Sequence, residues 1–211
     1  MRENIVLEKV ILENSGQEMN LKPSLEEAMS AVETLIKWAG DDPSREGLVD
    51  TPKRVVKAYN EFFSGYQTNP DEILSRTFEE VEGYDEMVLV KNIRLESYCE
   101  HHIVPIIGKA HVAYIPNNRV VGISKLARLV DVYGKRLQTQ ETMTAQIANT
   151  IEKVLEPKGV AVVVDAAHQC MTTRGIHKPE SSTVTSCMRG IFKENPRTRN
   201  EFLTFIKLPQ K

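Results

Sequence analysis

Ser97-Tyr98-Cys99-Glu100-His101-His102 puts a thiol and two imidazoles into one short stretch of chain. Cys and His are the side chains zinc prefers, and the C-x-x-H spacing lets Cys99 and His102 reach one ion from a single turn. Two ligands do not hold zinc. The other cysteines are Cys170 and Cys187, and the other histidines are His111, His168 and His177. Of these, His168-Gln169-Cys170 stands out because it ends an apolar run. Cys99, His102 and Cys170 would leave a fourth position for water, which is the catalytic rather than the structural zinc pattern, and the pKa of such a water falls to about 7. His101 and His168 flank those ligands and are placed for proton transfer. The competing reading is packing, since Cys is at home in cores and a lone His is more often a surface residue.

Polar groups elsewhere are individually weak signals of a site for an anion such as a phosphate. Ser124, expected as a helix cap, and Lys125 sit at a helix N-terminus, where free N–H groups and the dipole favour a phosphate. Arg128 follows one turn later. Arg174, four residues after Cys170, and the basic helix face carrying Arg54 and Lys57 add positive charge; each alone could be a solvated surface residue. Gln140-Glu141 precedes a helix, where a carboxylate could accept two hydrogen bonds from a purine edge or simply favour the helix start.

Helices and strands must bring these residues together. Residues 1–22 form an arm without a clean period, and nothing there reads as a signal peptide or anchor. Ser24 and Glu27 have capping-box form ahead of a helical stripe from Leu25 to Ala39 that stops at Gly40. Thr51-Pro52 opens a second helix with Val55, Val56, Tyr59, Phe62 and Phe63 on one side. Asn69-Pro70 starts a short third. From Met87 the period changes to that of strands: Met87–Leu95, then Lys109–Ile115, with Pro105 and Gly108 as turn residues between them. Two helices follow, one with the stripe Leu126, Leu129, Val130, Tyr133 and Leu137, the other with Met143, Ile147, Ile151, Val154 and Leu155. Strands over 160–166 and 182–190 complete the pattern, and the tail with Phe202, Phe205 and Ile206 fits helix or strand.

The fold class is therefore α+β: an N-terminal helical part over 23–85, then a domain over 86–211 ordered strand-strand-helix-helix-strand-strand. A four-stranded antiparallel sheet with two helices on one face leaves its other face and both edges open, so association with further copies is expected. The formal charge of -2 in 211 residues gives no general attraction to nucleic acid or membrane. Three cysteines, an odd number, make no disulfide framework and suit a reducing, cytoplasmic setting.

The chain resembles the GTP cyclohydrolase I family. The resemblance rests on Thr51-Pro52-Lys53-Arg54-Val55, the 97–102 stretch, Gly108-Lys109-Ala110, Val112-Ala113-Tyr114-Ile115-Pro116, Gly122 to Arg128, Gln138-Thr139-Gln140-Glu141 and His168 to Gly175. It runs from about residue 24 to the C-terminus. It implies the tunnelling fold, in a homodecamer of two face-to-face pentamers with active sites shared between subunits. It also implies zinc-dependent hydrolysis of GTP to 7,8-dihydroneopterin triphosphate and formate, the first step toward tetrahydrofolate or other pterins. Position by position it assigns zinc to Cys99, His102 and Cys170 and proton transfer to His101 and His168. Guanine goes to Glu141 with Gln140, and the triphosphate to Ser124, Lys125, Arg128, Arg174, Arg54 and Lys57. Tyr98, where the family often has Met, and His111 are mild departures. The rival readings are a tunnelling-fold relative acting on another pterin or deazapurine, and a zinc-stabilised scaffold or purine-nucleotide binding module.

Overall fold

The computed structural model describes residues 22–78 and 83–208, so the expected arm over 1–22 lies outside the described residues save Lys22. Two compact units divide between Ala58 and Tyr59. In the first, α1 (Leu25–Trp38) has the anticipated capping box: Glu27 N–H donates to Ser24 Oγ at 3.2 Å, and Ser24 N–H donates to Glu27 Oε2 at 2.8 Å. Gly40, at φ +95°, ends it. Helix α2 (Thr51–Phe62) crosses the division.

In the second unit, a 3-10 turn (Ser64–Gln67) leads to α3 (Pro70–Leu74), capped by Asn69. The main sheet contains β2 (Val88–Cys99), β3 (Pro105–Ile115), β6 (Gly159–His168) and β7 (Thr183–Gly190), antiparallel neighbours in that order. The pair β1 (Thr77–Phe78) and β4 (Val120–Val121) forms a separate small ladder. Helices α4 (Ile123–Gly134) and α5 (Gln140–Leu155) lie between β3 and β6 in the chain, separated by a two-residue strand, β5 (Leu137–Gln138). The short α6 (Gln169–Thr172) follows β6, and α7 (Ile191–Glu194) and α8 (Pro196–Lys207) close the described chain. The α+β order matches the sequence reading.

Apolar periodicity explains the packing. Leu126, Leu129, Val130 and Tyr133 of α4 and Met143, Ile147, Ile151 and Leu155 of α5 bury against Leu95, Ile106, Ala110, Val112, Val160, Val162 and Val164. Each fully buried aliphatic side chain there contributes about 1.5–3 kcal/mol. The other sheet face is open only in part: Ile107 and Val184, toward the site end, are exposed. Ala113, Ile115, Ala161 and Val163 pack under Phe192 of α7 and Phe202 of α8, whose rings meet edge to face at 5.9 Å, so the tail is helical and covers the half of this face away from the site. Burial on both faces is why Val160 to Val164 reads as an unbroken apolar run.

Four local expectations are corrected. Pro105 and Gly108 lie inside β3, not in a turn: Pro is tolerated as a first strand residue, and Gly108 is where β6 comes close. Gly122, not Ser124, is the N-cap of α4, and no side chain caps that end. Leu137 leaves the α4 stripe for β5, where its N–H donates to Tyr66 Oη at 3.1 Å. Gln140 and Glu141 belong to the first turn of α5, behind the true cap Thr139.

Candidate metal centre

One end of the sheet gathers the residues in question. Cys99 is the last residue of β2, and a tight connection returns the chain to Pro105: Cys99 N–H donates to Val104 O at 2.9 Å, and Ile103 N–H donates to Cys99 O at 2.8 Å. Ile103 stands at φ +53°, which a residue of this kind adopts only where surrounding bonds hold it. That turn carries His101 and His102. On the neighbouring strand pair, Ile106 faces His168, the last residue of β6, and the chain then coils into α6 with Cys170 in its first turn.

The two-residue β5 brings in the third component. It pairs in parallel with the end of β2, Cys99 opposite Gln138, and Glu100 N–H donates to Gln138 O at 3.1 Å. Gln138 is itself held by its amide, which donates to Tyr133 O and Gln146 Oε1, each at 3.0 Å. The start of α5, two residues later, is thereby fixed beside Cys99.

Donor atoms of Cys99, His102 and Cys170 all lie within 4.8 Å of one another. A tetrahedral zinc ion, about 2.3 Å from sulfur and about 2.0 Å from nitrogen, spaces its donors by roughly 3.5 Å, so the cluster closes on an ion with shifts of about 1 Å. The electrostatics also suit a cation. Burial, and next the adjacent Cys99 thiol, push the Cys170 thiol up from its ordinary range, with Arg174 opposing. Two thiolates side by side are unfavourable unless a positive ion lies between them. The donor set, soft sulfur with imidazole, is one that suits zinc.

Around the cluster, His101 Nδ1 lies 3.6 Å from Cys99 Sγ, and Arg174 Nη1 donates to His102 Nε2 at 2.9 Å. His168 Nε2 meets Gln140 Oε1 at 2.8 Å. Burial lowers the pKa of His168 from its ordinary value near 6.5, and the charge of Glu141 opposes that shift. His168 is therefore neutral at pH 7, with an exposed carboxylate nearby.

A model of the family described as GTP cyclohydrolase I matches residues 28–207. The chain belongs to the GTP cyclohydrolase I family. It is 59% identical over 189 residues to GTP cyclohydrolase 1 of Maricaulis maris (strain MCS10), spanning 90% of this chain and 92% of the relative. It is likewise 59% identical over 186 residues to GTP cyclohydrolase 1 of Brucella suis (strain ATCC 23445 / NCTC 10510), spanning 88% and 87%. A solved structure, the archaeosine synthase QueF-Like in the apo form, aligns with 49% of this chain and 93% of its own at TM-score 0.42 and 22% identity.

In this family member the expected site residues fall into three groups. Cys99, His102, Cys170, His101, His168, Glu141, Gln140 and Arg174 assemble at the sheet end. Ser124 and Lys125 stand in the first turn of α4, and Arg128 lines a groove of about 220 Å³ with Ser64, Thr68, Asp131 and Lys135. Arg54 and Lys57 belong to the first unit, both exposed, with Arg54 paired to Asp50 at 3.2 Å. The sequence reading placed Gln140 beside Glu141 at a purine edge. Here its side chain is fully buried and its amide is bonded inside the protein, to Val164 O, Thr183 O and Thr185 Oγ1. Thr183 and Thr185 escaped that reading, because a Thr in an alternating strand carries no signal of its own.

Proposed function

We propose that this chain hydrolyses GTP to 7,8-dihydroneopterin triphosphate and formate, using a zinc ion held by Cys99, His102 and Cys170. The observation that carries this is the convergence of two thiols and an imidazole within 4.8 Å, beside two further imidazoles, in a member of the GTP cyclohydrolase I family. Its relatives bear the name GTP cyclohydrolase 1. A zinc ion held there supplies Lewis acidity and hydroxide at neutral pH. The protein's own groups do the rest. Neutral His168 and exposed His101 give and take protons at the purine nitrogens as the imidazole ring of GTP opens and C8 leaves as formate. Glu141 offers two carboxylate oxygens to the two parallel N–H donors of the guanine edge. Arg174 presents a guanidinium beside His102 to the triphosphate, joined by Ser124, Lys125, Arg128, Arg54 and Lys57. Ribose opening, an Amadori rearrangement and ring closure complete the product.

The triphosphate contacts require more than one subunit in this reading. A homodecamer of two pentamers supplies those groups from neighbouring copies. Apolar side chains left in solvent support the association, among them Ile103 and Ile107 at the site end and Val184 on β7. Residues 86–211 serve as the catalytic domain, in a cytoplasmic enzyme whose three cysteines form no disulfide. No helix among the described residues is long and apolar enough to cross a membrane.

Formate release from GTP tests the reading. It is expected from purified protein, lost on chelation and restored by zinc. Zinc-loaded oligomeric protein that releases no formate refutes the proposal and favours a nucleotide-binding scaffold.

A further inference from the structure

The hydrogen bonds around Gln140 have only one consistent arrangement of protons. Gln140 opens α5 with its side chain fully buried. Its Nε2 lies 3.1 Å from Val164 O and 2.8 Å from Thr183 O. Backbone carbonyls only accept, so the amide must turn its NH2 toward them; flipping it would face Oε1 with two other oxygens. A third neighbour, Thr185 Oγ1 at 3.2 Å, agrees. Thr144 Oγ1 donates to Gln140 O at 2.7 Å, which leaves its lone pairs for the Thr185 hydroxyl proton, also at 2.7 Å. Thr185 Oγ1 then presents lone pairs to the Gln140 amide. Three elements, α5, β6 and β7, thus lock one amide orientation.

That orientation leaves Oε1, an acceptor, 2.8 Å from His168 Nε2. Two acceptors in such contact would repel, so Nε2 carries the proton. A neutral imidazole has one N–H, so a neutral ring with that proton on Nε2 leaves Nδ1 bare.

We propose that Gln140 is a positioning residue that holds His168 as its Nε2–H tautomer, leaving Nδ1 as the atom that exchanges protons with the substrate. The proposal rests on the reading above that His168 moves a proton in GTP hydrolysis. It reassigns Gln140: with both amide protons and the oxygen engaged inside the protein, the side chain has nothing left for guanine, and Glu141 reads the base.

The decisive measurement is solid-state ¹⁵N NMR of the zinc-loaded wild-type oligomer. His168 is the one histidine followed by glutamine, so labelling histidine with ¹³C and ¹⁵N and glutamine with ¹⁵N assigns its ring without a variant. A protonated Nε2 and a bare Nδ1 are expected at neutral pH; a proton on Nδ1 overturns the proposal. Kinetics give a second readout. Gln140→Leu is expected to lower kcat by roughly 10²-fold or more while KM for GTP stays within about twofold, since losing the correct tautomer costs rate rather than binding. A raised KM with kcat retained makes Gln140 a base-reading residue and overturns the assignment. If His168→Asn keeps full formate turnover, the catalytic half of the proposal falls together with the reading it rests on, while the NMR result still reports the tautomer by itself.

Discussion

Replacing Gly108 with alanine adds a single methyl group at the strand pair that carries the site. A Cβ at residue 108 would stand 2.1 Å from Asp165 O and 2.5 Å from both Cα and Cβ of Ala166. Contacts of that kind need about 3 Å or more, so β3 and β6 must part by about 1 Å. The obstructing atoms are mainly backbone and cannot rotate away. Overpacking of this sort costs about 1–3 kcal/mol, and rigid neighbours place Gly108→Ala near the upper end. For a chain of this length about 3 kcal/mol lowers Tm by roughly 6–12 °C. Gly108 pairs with Ala166, and Ile106, two residues back, pairs with His168. The displacement therefore reaches His168 and, two residues further, Cys170. A shift of about 1 Å at reacting groups costs on the order of 10²-fold in rate. Thermal unfolding of the zinc-loaded protein, kcat/KM for formate release and competition for zinc with a chromophoric chelator measure the three effects. If Gly108→Ala unfolds within about 1 °C of wild type with kcat/KM within about twofold, the sheet absorbs the methyl group and the reasoning fails.

Three further outcomes follow from the site and its supports. Cys170→Ser removes one of the three donors and is expected to lose bound zinc; full occupancy by metal analysis would refute the ligand assignment. Glu141→Ala deletes an acceptor of charged hydrogen bonds worth about 1.5–3 kcal/mol each, so KM for GTP should rise by at least about 10-fold; an unchanged KM would place the guanine elsewhere. His111 is buried, and burial, with Lys109 and Lys91 adding and Asp165 opposing, lowers its pKa from the ordinary 6.5. Its contribution to stability is therefore present above pH 6.5 and lost as pH falls below that value. Urea midpoints for His111→Gln should vary less between about pH 5 and 7 than those of wild type, and equal pH slopes would contradict the assignment.

Features that local chemistry determines were legible in the chain. Ser24 with Glu27, Asn69 before Pro70, and the stripes from Leu126 and Met143 each combine a hydrogen-bonding cap or a 3.6-residue period with a single structural outcome. The convergence of the C-x-x-H pair with the distant Cys170 was legible because few other residue types can hold a metal ion. Features set by partners far along the chain were not. Gly108 carries the same letter whether it turns the backbone or admits a neighbouring strand, and β5 is two residues whose pairing depends on where β2 ends. Gln140 reads as a polar helix start. Its inward turn depends on carbonyls of β6 and β7, more than twenty residues away.

The least legible feature is the one that aims Cys99. Before Asn92 the even residues Val88 and Val90 face α4 and α5; after it the odd residues Ile93, Leu95 and Cys99 do. Period-2 alternation cannot produce that change by itself. The register supplies it: Val90 pairs with Val112 and Ile93 with Ala110, so Lys91 and Asn92 together oppose His111 in a bulge. Asn92 adopts φ +57°, a conformation asparagine tolerates better than most residues, and its N–H donates to His111 Nδ1 at 3.3 Å. Without the extra residue, the phase set by Val88 and Val90 would turn Tyr98 toward the helices and Cys99 away from them. On β6 no correction is needed: the phase that buries Val160, Val162, Val164 and Ala166 against the helices places His168 on the same face. The site is thus the continuation of the core past its last apolar layer, and the His111 contact on Asn92 belongs to its construction although His111 lies outside the cluster.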